Sequence, residues 1–146
     1  ISKEGNLFIS IFFNLKNNFP PFNEFTIINP IIIYNVIKKI CNEHKISVKW
    51  PNDIFFNGKK VCGILQEVIS HKDKKFLIIG VGINITSNPN INEKYKATNI
   101  FDETNKKFKI NELLNLIISS YENFFINLDK YSYTNYKKKA ETIATI

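Results

Sequence analysis

Two neighbouring stretches concentrate the residue types that handle anions. The first is Lys49-Trp50-Pro51-Asn52-Asp53 and the second Lys59-Lys60-Val61-Cys62-Gly63-Ile64-Leu65, with Asn57-Gly58 between them. Lysine supplies a compact positive charge, and a carboxylate orients a lysine or holds a metal ion. Asn-Gly between two apolar runs is a strong signal for a hairpin closed by a type I′ turn. The hairpin is expected to bring Lys60 back close to Asp53. Two lysines, an amide and a carboxylate then converge beside the single Trp of the chain. Such a group suits an anionic ligand. The plainer alternative is a surface hairpin with ordinary turn residues, since Asn and Asp are common there.

A third stretch, Gly80-Val81-Gly82-Ile83-Asn84, ends an apolar run. It begins like a dinucleotide-binding fingerprint, but Ile85 stands where the third glycine belongs and no helix is expected to follow. Alternating glycines in a strand permit close approach of a ligand or of a second backbone. Asn84 is placed to hydrogen-bond such a ligand; a strand crossing and a turn Asn explain the same residues equally well. Cys41 and His44 lie three apart on an expected helix, but a metal centre takes three or four ligands. No second pair of this kind exists, so no metal site is expected. The run Lys137-Lys138-Lys139 lacks the aromatic interleaving of a single-strand binding platform and reads as a solvated helix face.

The elements that must position these residues follow from periodicity. Aromatic and β-branched residues from Asn6 to Lys16 predict a buried strand. Thr26 to His44 carries Ile33, Val36, Ile37 and Ile40 at helix spacing, with Pro30 read as part of its first turn. Short strands are expected over 46–50 and 53–56, a return strand over 60–70 and an apolar strand over 76–85. A loop rich in Asn and Pro spans 86–99. Leu114, Ile117, Ile118, Tyr121, Phe124 and Phe125 mark an amphipathic helix over 111–128, and a weaker helix covers 131–142. One strand, a helix, a strand meander and then helices argue for an α+β fold.

Composition narrows the function classes. The chain has 146 residues, 44% of them hydrophobic, which fits one globular domain. Its formal charge of +7 rests on 20 basic residues, all of them Lys. Nucleic-acid surfaces favour Arg for bidentate contacts, and a chain rich in Ile, Asn, Lys and Phe reads as the product of AT-rich coding. A nucleic-acid partner is therefore not expected. No apolar run approaches the roughly 18 residues that span a bilayer, so no membrane association is expected. Two cysteines cannot form a disulfide framework, which favours a reduced, cytoplasmic setting.

In order and spacing, Lys49 to Asp53, Lys60 to Leu65 and Gly80 to Asn84 resemble the catalytic domain of biotin protein ligases. Gly5-Asn6-Leu7-Phe8-Ile9-Ser10 is similar to that family's opening segment, and Ala97-Thr98 before a long amphipathic helix to its later region. The resemblance implies a mixed sheet flanked by helices, related to class II aminoacyl-tRNA synthetases and lipoate ligases. It implies ATP-dependent attachment of biotin to a lysine of a carboxylase's biotin carboxyl carrier domain, through biotinyl-5′-adenylate and with Mg2+. By motif, Lys60 and Asp53 take the catalytic roles. Lys49, Trp50, Asn52, Gly63 and Ile64 surround biotin and adenylate, while Gly82 and Asn84 lie on the nucleotide side. A homodimer is admitted by the same resemblance. Residues 1–146 are expected to form this catalytic domain without the Gly/Arg-rich loop that precedes it in the family and without a small C-terminal β domain. On that reading the chain alone has little or no turnover. The rival readings are a lipoate or octanoyl ligase relative, a non-catalytic fragment, and a nucleic-acid-binding module.

Overall fold

Alternation along the first strand sends Leu7, Ile9, Ile11 and Phe13 toward the interior and leaves Phe8, Ser10 and Phe12 exposed (β1, Leu7–Asn14). The chain, for which a computed structural model describes residues 4–42, 45–89 and 95–145, then passes Pro20-Pro21 into a single 3-10 turn at Phe22–Glu24. The helix α1 (Phe25–Ile40) follows. The 3-10 turn starts the winding before Phe25, so Pro30 falls inside the helix rather than in its first turn. Its ring removes the N–H that would reach Thr26. The last residues of the expected helix, Glu43 and His44, lie outside the described residues.

A four-strand meander comes next: β2 (Ile46–Lys49), β3 (Asp53–Phe56), β4 (Lys59–His71) and β5 (Lys74–Ile83). The sheet has the order β1-β5-β4-β3-β2, and each neighbouring pair is antiparallel. Parallel pairing appears as two isolated bridges, Val48 with Ala144 and Lys60 with Ala97. The expected loop over 86–99 leads into a short helix that periodicity did not suggest, α2 (Ile100–Thr104). Asn99 caps it, its Oδ1 accepting from the Asp102 N–H at 2.8 Å. Two helices close the chain, α3 (Ile110–Ile126) and α4 (Tyr133–Ile143).

The helices α1, α3 and α4 cover one face of the sheet. Between them and the strands lie Phe25, Ile28, Ile33, Ile37, Ile54, Phe56, Leu77, Ile79, Ile83 and Ile117, none of them measurably exposed. On α3 the buried stripe is Leu113, Ile117, Tyr121 and Phe124, while Ile118 faces solvent. A buried polar chain ties three elements together. Tyr121 donates its hydroxyl to Asn29 Oδ1 at 3.0 Å, and Asn29 Nδ2 donates to Gln66 Oε1 at 2.8 Å. Buried amides and hydroxyls cost free energy unless paired in this way. Among the described residues, no helix is long and apolar enough to cross a membrane.

Candidate active site

The hairpin forms as its sequence dictates. Asn57 and Gly58 have φ of 49° and 79°, the pair of positive values that a type I′ turn requires. Lys49 faces Asp53 across β2 and β3, and Asp53 faces Gly63 across β3 and β4. The register then slips: Ile54 opposes Cys62 while Phe55 opposes Lys60, leaving Val61 as an extra residue on β4. Val61 and Cys62 are both buried in succession. This bulge re-aims the preceding side chain, and Lys60 joins Gly63 and Leu65 on the face away from the helices.

There the Lys60 ammonium stands 3.0 Å from Asp53 Oδ1. The pair lies over Gly63, whose missing Cβ would come within 3.7 Å of Lys60 Cε and 3.8 Å of Asp53 Oδ1. The backbone of Lys60 is held as firmly. Its N–H donates to Lys96 O at 2.9 Å, and Thr98 N–H donates to its carbonyl at 2.8 Å. Asn84 Nδ2 donates to Thr98 O at 3.0 Å. At the entrance to β1, Asn6 Oδ1 accepts from the backbone N–H groups of Ile85, Thr86 and Ser87. The opening Gly-Asn element therefore fastens the loop that follows Asn84.

Two cavities meet at Lys60. The larger, about 490 Å3, is lined by Phe8, Ser10, Asn52, Asp53, Leu65 and Gly80 together with Lys60, Gly63 and Gly82. The smaller, about 200 Å3, adds Cys62, Asn84, Pro89 and Ala97 to a wall shared through Phe8, Lys60, Gly63 and Gly82. The ring of Phe8 rests on Gly82, where a Cβ would sit 3.2 Å from its Cε1. The floor is the bare backbone of Gly63, Gly80 and Gly82. A long anion can lie on it with its charge at Lys60, and a second ligand can reach the same ammonium from the other side.

Of the expected residues, Lys60, Asp53, Asn52, Gly63, Ile64 and Gly82 line the larger cavity, and Asn84 lines the smaller. Ile64 is itself 3% exposed and belongs to the core cluster. Two expected residues stand apart from both cavities. Trp50 donates its indole N–H to Ala140 O at 3.1 Å and lines a separate groove with Ile27, Pro51 and α4. Lys49 places its ammonium 3.0 Å from the ring centre of Tyr95 and 5.9 Å from that of Phe55. Sequence reasoning gave Phe8, Ser10 and Leu65 no ligand role of their own, though they stand in the motif stretches, and treated Gly80 only as one of two alternating glycines. Their signal was strand alternation, which puts each on the same face as Gly63 or Gly82.

The other reactive groups are quiet. Burial pushes the Cys62 thiol well above its ordinary range and the Cys41 thiol up to about 11, which keeps both from acting as nucleophiles near neutral pH. Among the described residues no three His, Cys, Asp or Glu side chains cluster as metal ligands, and His44 lies outside those residues.

Residues 1–84 match the family described as biotin/lipoate A/B protein ligases. Over 44 residues the chain is 52% identical to the bifunctional ligase/repressor BirA of Bacillus subtilis, covering 30% of this chain and 14% of that protein. Over 109 residues it is 26% identical to the biotin–[acetyl-CoA-carboxylase] ligase of Paracoccus denitrificans, covering 70% and 45%. Among solved structures, the biotin protein ligase of Aquifex aeolicus in complex with biotin and ATP superimposes with a TM-score of 0.79 at 30% identity, over 99% of this chain and 60% of that one. In each comparison the match spans less than two thirds of the relative's own length.

Proposed function

The chain belongs to the biotin/lipoate A/B protein ligase family, and we propose that it carries the adenylation site of a biotin ligase, joining biotin to ATP and then to a lysine of a carboxylase's biotin carboxyl carrier domain. The observation that carries this reading is the position of Lys60, oriented by Asp53 at 3.0 Å, where two cavities meet. Biotin, with its carboxylate tail, suits the larger cavity over the glycine floor. ATP can present its α-phosphate to Lys60 from the side of the smaller one, between Asn84 and Ala97. The relatives named for biotin ligation, and the Aquifex structure with biotin and ATP, support this choice of substrates.

In the first step a carboxylate oxygen of biotin attacks the α-phosphorus of ATP, the bond to the bridging oxygen breaks, and pyrophosphate leaves with its electron pair. Two anions must be brought together, so catalysis is mainly positioning and charge neutralisation. Lys60 supplies the positive charge that both partners meet. Asp53 fixes the direction of that charge, and Gly63 leaves the space in which the pair stands. In the second step the amine of the acceptor lysine attacks the biotinyl carbonyl, AMP departs, and an amide remains. A magnesium ion arriving on the triphosphate would neutralise phosphate charge; among the described residues no carboxylate lines the smaller cavity, and Asp53, paired with Lys60, is the carboxylate beside the point where the two cavities meet.

Biotin-dependent exchange of labelled pyrophosphate into ATP, measured on the full-length protein that contains these residues, tests the proposal. Exchange with biotin and none with lipoate or octanoate is the expected result. Exchange driven by lipoate or octanoate instead would assign the site to the other branch of the family, and no exchange with any of them would reject adenylation.

A further inference from the structure

One carboxylate outside the cavities holds the wall of the smaller one. Glu103, on α2, has its side chain only 10% exposed. Its Oε1 accepts from the Lys59 ammonium at 2.7 Å and from the Thr98 hydroxyl at 2.6 Å, and its Oε2 accepts from Asn57 Nδ2 at 2.9 Å. Two segments about 40 residues apart in sequence meet on this one group: the hairpin turn with the start of β4, through Asn57 and Lys59, and the stretch that includes Ala97 and Thr98. Burial alone would raise its pKa, but hydrogen bonds from Lys59, Thr98 and Asn57 outweigh that and hold it at about 2. The carboxylate is therefore charged throughout the physiological range.

The importance of this clamp lies in what Thr98 touches. Its backbone N–H donates to the carbonyl of Lys60, and its own carbonyl accepts from the side chain of Asn84. Thr98 is 3% exposed, so its hydroxyl has no ready exchange with water. Removing the carboxylate strands that buried hydroxyl and frees the segment carrying Ala97. Asn84 loses its fixed partner at the same time. The larger cavity touches none of these groups except Lys60.

Resting on the adenylation reading above, we infer that Glu103 is a positioning residue for the nucleotide. Through Thr98 it sets the wall formed by Ala97 and the orientation of Asn84, while the biotin cavity stands without it. The test is the KM for ATP and for biotin in pyrophosphate exchange, measured in the full-length protein, unaltered and with Glu103→Ala, Glu103→Gln or Thr98→Val. Glu103→Ala and Thr98→Val should raise the KM for ATP about tenfold, with the KM for biotin unchanged. Glu103→Gln keeps an oxygen that accepts from the Thr98 hydroxyl and should recover most of that loss. An unchanged KM for ATP in Glu103→Ala would overturn the inference, as would equal rises for both substrates, which mark general loosening. Thr98→Val, close in shape to the original, keeps the test decisive should Glu103→Ala fail to fold. Absence of exchange in the unaltered protein would instead remove the adenylation reading and this inference with it.

Discussion

The two faces of the sheet are built by the same strands to opposite ends. On β5, Leu77, Ile79, Val81 and Ile83 enter the core, while Gly80 and Gly82 alternate with them on the other side. On β4, Cys62 and Ile64 are buried, and Gly63 and Leu65 look the other way. One face is filled with branched side chains and covered by three helices. The other combines a bare backbone floor, an ion pair and exposed apolar residues such as Phe8, Phe12 and Leu65. Stability and chemistry are thus interleaved at every second residue, and a single position belongs to one or the other.

Substitutions on the two faces should separate accordingly. Phe56, on the filled face, is fully buried, and Phe56→Ala should cost about 3–5 kcal/mol of stability in urea unfolding. A loss under about 1 kcal/mol would break the contrast. Lys60→Ala, on the open face, should slow adenylation by about 10²–10³-fold and leave the unfolding midpoint nearly unmoved, because a partly exposed ion pair contributes little to folding. A large fall in stability would show that the pair is structural. Lys60→Arg should not restore the rate, since a planar fork does not replace a point charge. The smallest effect is expected for Gly82→Ala. The added methyl meets the Phe8 ring at 3.2 Å, and that ring is 54% exposed and free to tilt. Stability should fall by about 1 kcal/mol or less, while the KM values for biotin and ATP both rise, because Phe8 lines both cavities.

Local signals carried much of this arrangement. Asn57-Gly58 announced the hairpin, and the hairpin placed Lys60 beside Asp53. The 3.6-residue spacing announced the long helices, though on α3 it favoured Ile118 where the structure buries Leu113. What local signals could not carry was geometry fixed by distant partners. The extra residue at Val61, which turns Lys60 to the open face, follows from the register of β3 against β4. The capture of Trp50 by Ala140 spans 90 positions, and the Glu103 contacts with the hairpin span more than 40. Lys49 was expected to converge with Lys60 because the two lie on either side of β3 in sequence. It is set apart by the ring of Tyr95, which sequence spacing does not bring near.

The glycine floor has a consequence for how such a site survives in so skewed a composition. The chain holds five glycines in 146 residues, about half the usual share. Two of them, Gly5 and Gly58, sit at positive φ in turns, and the other three are Gly63, Gly80 and Gly82. None is left over for ordinary loops. A surface made of peptide groups presents the same amide edges and the same clearance whichever Ile, Val or Leu fills the reverse side. The side chains around it can therefore be exchanged for others of like volume without redrawing the surface on which a ligand lies.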